Sequence, residues 1–154
     1  MPKLDLAAIP ETNRTGYPAP FDAEVEGRWY RRLGQASGFG HLSVSHVVLR
    51  PGAWSSHRHW HASEDEFVVM LSGEAHLFDD HGTHILRAGD CASFPAGEAN
   101  GHHLRNLSNA DCVFIVASAG DRTGGGIYSD IDMQFNADGY FHKDGTPYGS
   151  ARTP

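Results

Sequence analysis

Between Pro51 and Glu66 the chain sets His57, His59 and His61 at intervals of two and follows them with Glu64 and Glu66. Side chains two apart on a strand point to the same face, so in a regular strand the three imidazoles lie together. Two such imidazoles can grip one metal ion from a single strand. Imidazole combined with carboxylate suits Zn, Fe, Ni, Cu or Mn and does not choose among them. A solvated strand edge would produce the same local run, so the elements around it have to decide.

Those elements read as short strands separated by turns. Leu42 to Leu49 alternates in the manner of a strand and ends at Pro51-Gly52. Glu66 to Leu71 forms a second strand, closed by Ser72-Gly73, and Glu74 to Phe78 a third. Asp79-Asp80-His81-Gly82 is a hairpin turn, with Thr83 to Arg87 returning from it. Cys91 to Phe94, His102 to Asn106 and Cys112 to Ser118 complete the set, and no stretch of the body carries a helical period. Many short strands with turn residues between them predict an all-β sandwich or barrel. Residues 1–27 read as an extended arm broken by Pro10, Pro18 and Pro20, with Trp29, Tyr30 and Leu33 anchoring it. The tail from Asp121, with Gly124-Gly125-Gly126, reads as loop. The expected organisation is therefore an N-terminal arm and edge segment over 1–40, a barrel core over 41–120, and a C-terminal extension over 121–154 that packs on the barrel or on a partner subunit.

The histidine cluster, placed in that frame, resembles the two motifs of the cupin superfamily. The first motif has a Gly, a His-x-His pair, a Glu shortly after and a Gly six residues further on; here Gly52, His59, His61, Glu66 and Gly73 correspond. The second has a Gly, then Pro-x-Gly, then a His and an Asn; Gly89, Pro95, Gly97, His102 and Asn106 correspond. Gly52 stands one residue too far from His59, and His102 two residues too far from Gly97. Both differences fall in predicted turns, where length changes are cheap. The resemblance implies a cupin double-stranded β-helix, a jelly-roll barrel, with His59, His61, Glu66 and His102 directed at one divalent metal ion (Fe, Zn, Ni or Mn). A rival register pairs His57 and His59 with Glu64. Glu66 is preferred because it leads directly into the apolar run Phe67-Val68-Val69-Met70-Leu71. His102 is preferred to His103 by its distance to Asn106. The whole chain also resembles a branch of single-domain cupins described as similar to mannose-6-phosphate isomerase. The resembling stretches are Tyr17-Pro-Ala-Pro-Phe21, Gly52-Ala-Trp-Ser-Ser56, Arg58-His-Trp-His61, Glu64-Asp-Glu-Phe67, Gly101-His-His-Leu104 and His142-Lys-Asp-Gly-Thr-Pro-Tyr148.

Three imidazoles and one carboxylate leave coordination positions open, as catalysis requires. The expected function is a metal-dependent enzyme, of dioxygenase or isomerase/lyase type, acting on a small organic molecule in the barrel. Glu66 serves there as ligand and base, and His57 as a proton carrier at the barrel mouth. The alternative is a non-catalytic module that binds or senses a sugar-like ligand. Arg58 and Arg105 have the opposite strand parity to the neighbouring ligands and are expected to face away, which weighs against a phosphosugar. Val68 and Met70 share the parity of Glu66 and are expected to line the pocket.

The remaining composition narrows the classes. A formal net charge of -7 argues against a nucleic-acid partner and against a polybasic membrane anchor. No signal peptide and no membrane-spanning run is visible, so the expected location is cytoplasmic. Cys91 and Cys112 are expected as buried, reduced thiols. The resemblance implies a homodimer.

Overall fold

A computed structural model of the chain describes residues 3–121 and 123–149; of the expected arm and tail, residues 1, 2, 122 and 150–154 lie outside this description. The strands are β1 (Arg28–Arg32), β2 (Leu42–Leu49), β3 (His59–His61), β4 (Glu64–Ser72), β5 (Glu74–Asp79), β6 (Gly82–Arg87), β7 (Cys91–Phe94), β8 (His103–Arg105), β9 (Cys112–Gly120), β10 (Gly126–Tyr128), β11 (Gln134–Asn136) and β12 (Gly139–Phe141). Helix is confined to single turns, including α1 (Leu33–Ala36). The strands form a large sheet in the order β1-β2-β9-β4-β7, a small sheet β6-β5-β8, and a third sheet β12-β11-β10-β3. This is the all-β arrangement that the alternation predicts, in the jelly-roll form that the cupin resemblance implies.

Alternation decides which residues fill the barrel. Val47 and Leu49 from β2, Val68 and Met70 from β4, Ala75 and Leu77 from β5, Leu104 from β8 and Phe114 from β9 are buried together. Val68, expected at the pocket wall, does line the inner cavity, whereas Met70 is core. The turn between β4 and β5 requires Gly73: its φ is +73°, and an added Cβ would stand 2.8 Å from Cys112 Cα. Asn106, fully buried, closes the turn before β9. Its amide donates to the carbonyls of Leu49 (2.8 Å) and Ala110 (2.7 Å), and its oxygen accepts from the backbone N–H (3.0 Å) and the hydroxyl (2.7 Å) of Ser108.

Three expectations need correction. The tail is not loop: β10, β11 and β12 form a sheet that adds β3 at its edge. These strands are three residues each, too short for alternation to show in sequence. They carry a second apolar cluster in which Tyr17, Val25, Tyr128 and Met133 are buried, with Phe21, Trp54, Phe135 and Tyr140 packed against it. Cys91 is exposed rather than buried, because it opens edge strand β7, whereas Cys112 is buried; both are free thiols. Finally, regular pairing in the histidine run begins only at His59, so His57 does not share the face of His59 and His61.

Candidate metal centre

The short strand β3 presents His59 and His61. It pairs antiparallel with β10, matching Tyr128 to His59 and Gly126 to His61. On its other side a two-way backbone bridge ties His59 to His102: the His102 N–H donates to the His59 carbonyl at 2.9 Å, and the His59 N–H donates back at 3.2 Å. Glu66 comes from β4, which lies in the large sheet. Two successive strands in different sheets and the distant His102 segment thus meet at one point. Aromatic rings back the imidazoles. Phe94 stacks flat on His102 at 3.5 Å, Phe135 stands edge-on to His61 at 5.5 Å, and Tyr128 lies 5.5 Å from His59.

His59, His61 and Glu66 each aim one ligand atom into a volume where all three atoms lie within 4.8 Å of one another. The Nε2 atoms of His59 and His61 are 3.1 Å apart, and His61 Nε2 is 3.5 Å from Glu66 Oε2. His102 reaches the other oxygen of the same carboxylate, with Nε2 3.6 Å from Oε1. The second ring nitrogens fix the tautomers. His59 Nδ1 sits 2.9 Å from the His57 carbonyl and His102 Nδ1 sits 3.2 Å from the Asn100 carbonyl, contacts that only an N–H can make favourably. In the neutral rings both Nε2 atoms therefore carry lone pairs. The His102 Nε2 is buried without a hydrogen-bond partner. Converging lone pairs beside a carboxylate repel unless a cation lies among them. The 3.1 Å gap also suits adjacent nitrogen ligands at about 2.1 Å from one ion. The residues fit a divalent metal.

The electrostatics agree. Burial, reinforced by the neighbouring His61 and His102, pushes the His59 pKa down to about 3, so this imidazole is neutral and available as a ligand. Burial alone would raise Glu66. The close approach of His102 and His61 outweighs it and holds the carboxyl far below its usual range. Burial alone would lower His61, and Glu66, with help from Glu64, lifts it instead.

The other sequence candidates take different places. Glu64, the acid of the rival register, accepts from the Ser118 hydroxyl at 3.1 Å and stands 3.6 Å from His61 Nδ1. That places it beside the ring nitrogen of His61 that faces away from Glu66. His57 is buried among Tyr17, Phe21 and Trp54, with Nε2 2.8 Å from the Phe21 carbonyl. It lines an outer cavity, not the one beside Glu66, and this position does not offer a proton carrier for the metal cavity. His103 also faces outward, between Trp54 and Phe78, with Nδ1 2.9 Å from the Ser56 carbonyl. Arg58 and Arg105 turn away as their parity predicts. Arg58 is forked onto Asp130 and also bonds Asp80, and Arg105 lies between the rings of Trp54 and Phe78.

A cavity of about 420 Å³ opens beside His59, His61 and Glu66. Its floor is apolar (Val47, Val68, Leu104, Phe114, Val116), and toward the mouth it becomes polar with Ser43, Ser45 and Tyr140. Arg14, Arg28 and Arg32 also line it, and the motif-based reading missed all three. The available signal was Arg28-Trp29-Tyr30-Arg31-Arg32, in which residues 28, 30 and 32 share one strand face.

Comparison with known proteins starts from residues 45–118, which match the cupin domain family model. A crystal structure from Silicibacter pomeroyi, described as a sugar phosphate isomerase from a cupin superfamily, superposes with a TM-score of 0.90 at 42% identity. The match covers 96% of this chain and 97% of that one. The chain belongs to the cupin superfamily. A putative sugar phosphate isomerase from Acidithiobacillus ferrooxidans aligns with this cupin at 25% identity and a TM-score of 0.67, over 73% of each chain. The polyketide cyclase RemF from Streptomyces resistomycificus shares the fold at 20% identity and a TM-score of 0.62, covering 77% of this cupin and 79% of that chain. No curated protein matches the sequence. Among the described residues no helix is long and apolar enough to cross a membrane.

Proposed function

We infer that this cupin is a metal-dependent enzyme that isomerises a small, oxygen-rich molecule inside its barrel, with His59, His61, Glu66 and His102 as ligands to one divalent ion. The observation that carries the reading is the convergence of three imidazole Nε2 atoms on one carboxylate at the wall of a ligand-sized cavity. A bound ion there would polarise a carbonyl and a neighbouring hydroxyl. Isomerisation moves one hydrogen from a hydroxyl-bearing carbon to the adjacent carbonyl carbon, and the hydroxyl proton to the carbonyl oxygen. It draws no electrons from outside. Glu66 is the one carboxylate among the described residues lining the cavity, and its depressed pKa keeps it ionised, the form that can hold the ion and face the substrate. Burial raises the Tyr140 pKa, so this cavity-lining phenol stays protonated and can donate. The likeness to the Silicibacter pomeroyi protein supports an isomerase over an oxygenase.

The test begins with metal content of the purified protein, followed by incubation with aldose and ketose phosphates in D2O. Interconversion with solvent deuterium entering at the carbon beside the carbonyl, without oxygen uptake, is the expected result. Oxygen consumed in step with product would replace the reading by a dioxygenase. Bound metal with neither turnover nor exchange would replace it by a ligand-sensing module.

A further inference from the structure

Alternation along β1 turns Arg28, Tyr30 and Arg32 into the metal cavity. The Tyr30 ring separates the two guanidinium groups, each with its central carbon 5.5 Å from the ring centroid. The Tyr30 hydroxyl donates to the Arg14 carbonyl at 3.0 Å and so fixes the arm that brings a third guanidinium to the rim. Arg28 Nη1 donates to the Ser55 carbonyl at 2.6 Å, while its Nε is buried and has no partner. No carboxylate among the described residues pairs with Arg14, Arg28 or Arg32. The contrast with their neighbours is direct. Arg31, on the outer face of the same strand, holds Glu11 at 2.7 Å, and Arg58 holds two aspartates. Uncompensated cations gathered on the inner wall of a concave site raise the local concentration of anions.

Their position relative to the ligands follows from the register. Arg32 pairs with Ser45, Ser45 with Val116 and Val116 with Val68, one alternate position from Glu66. The arginine row thus stands three strand spacings from the Glu66 strand, about 14 Å along the sheet and less across its curved interior. Ser43 and Ser45 lie between them.

We propose that Arg28 and Arg32, with Arg14 at the rim, bind the phosphate of a phosphorylated substrate whose carbonyl end meets His59, His61 and Glu66. This rests on the reading of the cavity as an active site. Guanidinium forks match phosphate oxygens in bidentate fashion. Three unpaired cations suit a dianion better than the single charge of a carboxylate. The proposal also reverses the sequence argument against a phosphosugar, which considered only Arg58 and Arg105.

The experiment is calorimetric binding to the metal-stripped full chain, with inorganic phosphate, ribose 5-phosphate, ribose and acetate as probes. Phosphate and ribose 5-phosphate are expected to bind, more weakly as salt rises, and ribose and acetate to bind at least tenfold more weakly. Arg32→Gln, at an exposed position, should weaken ribose 5-phosphate about tenfold. Arg28→Lys, which keeps the charge and loses the fork, should weaken it to a similar extent, and the double variant Arg28→Gln/Arg32→Gln should abolish binding. Arg105→Gln, in the outer cavity, should change nothing. Metal content of these arginine variants should match the parent, so failure of the metal reading would appear in that separate measurement. Equal affinity for ribose and ribose 5-phosphate, tighter binding of acetate than phosphate, or undiminished binding by the double variant would overturn the assignment.

Discussion

Asn106 belongs to the second histidine-bearing motif, yet its side chain serves the turn and not the metal. Replacing it by alanine should therefore cost stability and spare chemistry. The amide makes four hydrogen bonds, two donated to the Leu49 and Ala110 carbonyls and two accepted from Ser108. A net hydrogen bond is worth about 1 kcal/mol. Asn106 itself is fully buried, whereas the contact of Ser108 with Ala110 is exposed and water can restore part of the loss there. The expected destabilisation is about 3 kcal/mol. For a chain of this size that lowers the melting temperature by about 10 °C. Asn106→Asp should be worse, because it turns a carboxylate oxygen toward two carbonyls. Denaturant unfolding measures the free energy, and metal analysis at a temperature where both proteins remain folded measures the site. A cost below about 1 kcal/mol, or a fully folded variant that has lost its metal, would refute this division of labour.

Three further outcomes are expected. His59→Ala and His102→Ala should strip most of the bound metal, while His103→Ala, whose ring faces the other side of β8, should retain it; elemental analysis of the three variants decides between the neighbouring histidines. Burial pushes the Cys112 thiol up to about 11, whereas Cys91 is exposed. A disulfide reagent at pH 8 should thus titrate one thiol in the native protein and two after unfolding, and two fast-reacting thiols in the native state would contradict the burial. The Arg58 fork holds the Asp130 carboxyl below its ordinary value of 3.8. A depressed carboxyl gives stability that is present above its unfolded pKa and lost as the pH falls through the folded one. Asp130→Asn should therefore flatten the stability curve below about pH 4. The difference should stay under about 1 kcal/mol, because this aspartate is largely exposed, and identical acid profiles for variant and parent would remove the pair from the account.

The barrel was legible where strands are long enough to alternate. β2 and β7 appear with the bounds that the sequence suggests, and Glu66 could be chosen over Glu64 because an apolar run follows it. Short strands hide this signal. His59 to His61 and the three tail strands carry three residues each, so their order comes from pairing, of β3 with the distant β10 and of the tail strands with one another. The outward turn of His57 has the same origin: a spacing of two implies a common face only once a strand exists, and here the strand starts two residues later. The residues that converge on the candidate metal centre stand in the motif spacing, but the arginines were not sought on a strand that reads as an aromatic anchor. Their function depends on the cavity they face, which only the closed sheet defines.

The pairing of β3 with β10 has a consequence for when the site can come into being. His59 and His61 leave the ribosome well ahead of Gly126–Tyr128, the segment that aligns them, and also ahead of His102. During synthesis the two imidazoles therefore hang on an unsupported stretch that can bind a passing ion only loosely. The geometry for tight capture arrives once the later strands dock. Loading of the proposed site would thus be a closing event of folding, and the ion acquired would depend on which metals surround the nearly finished chain.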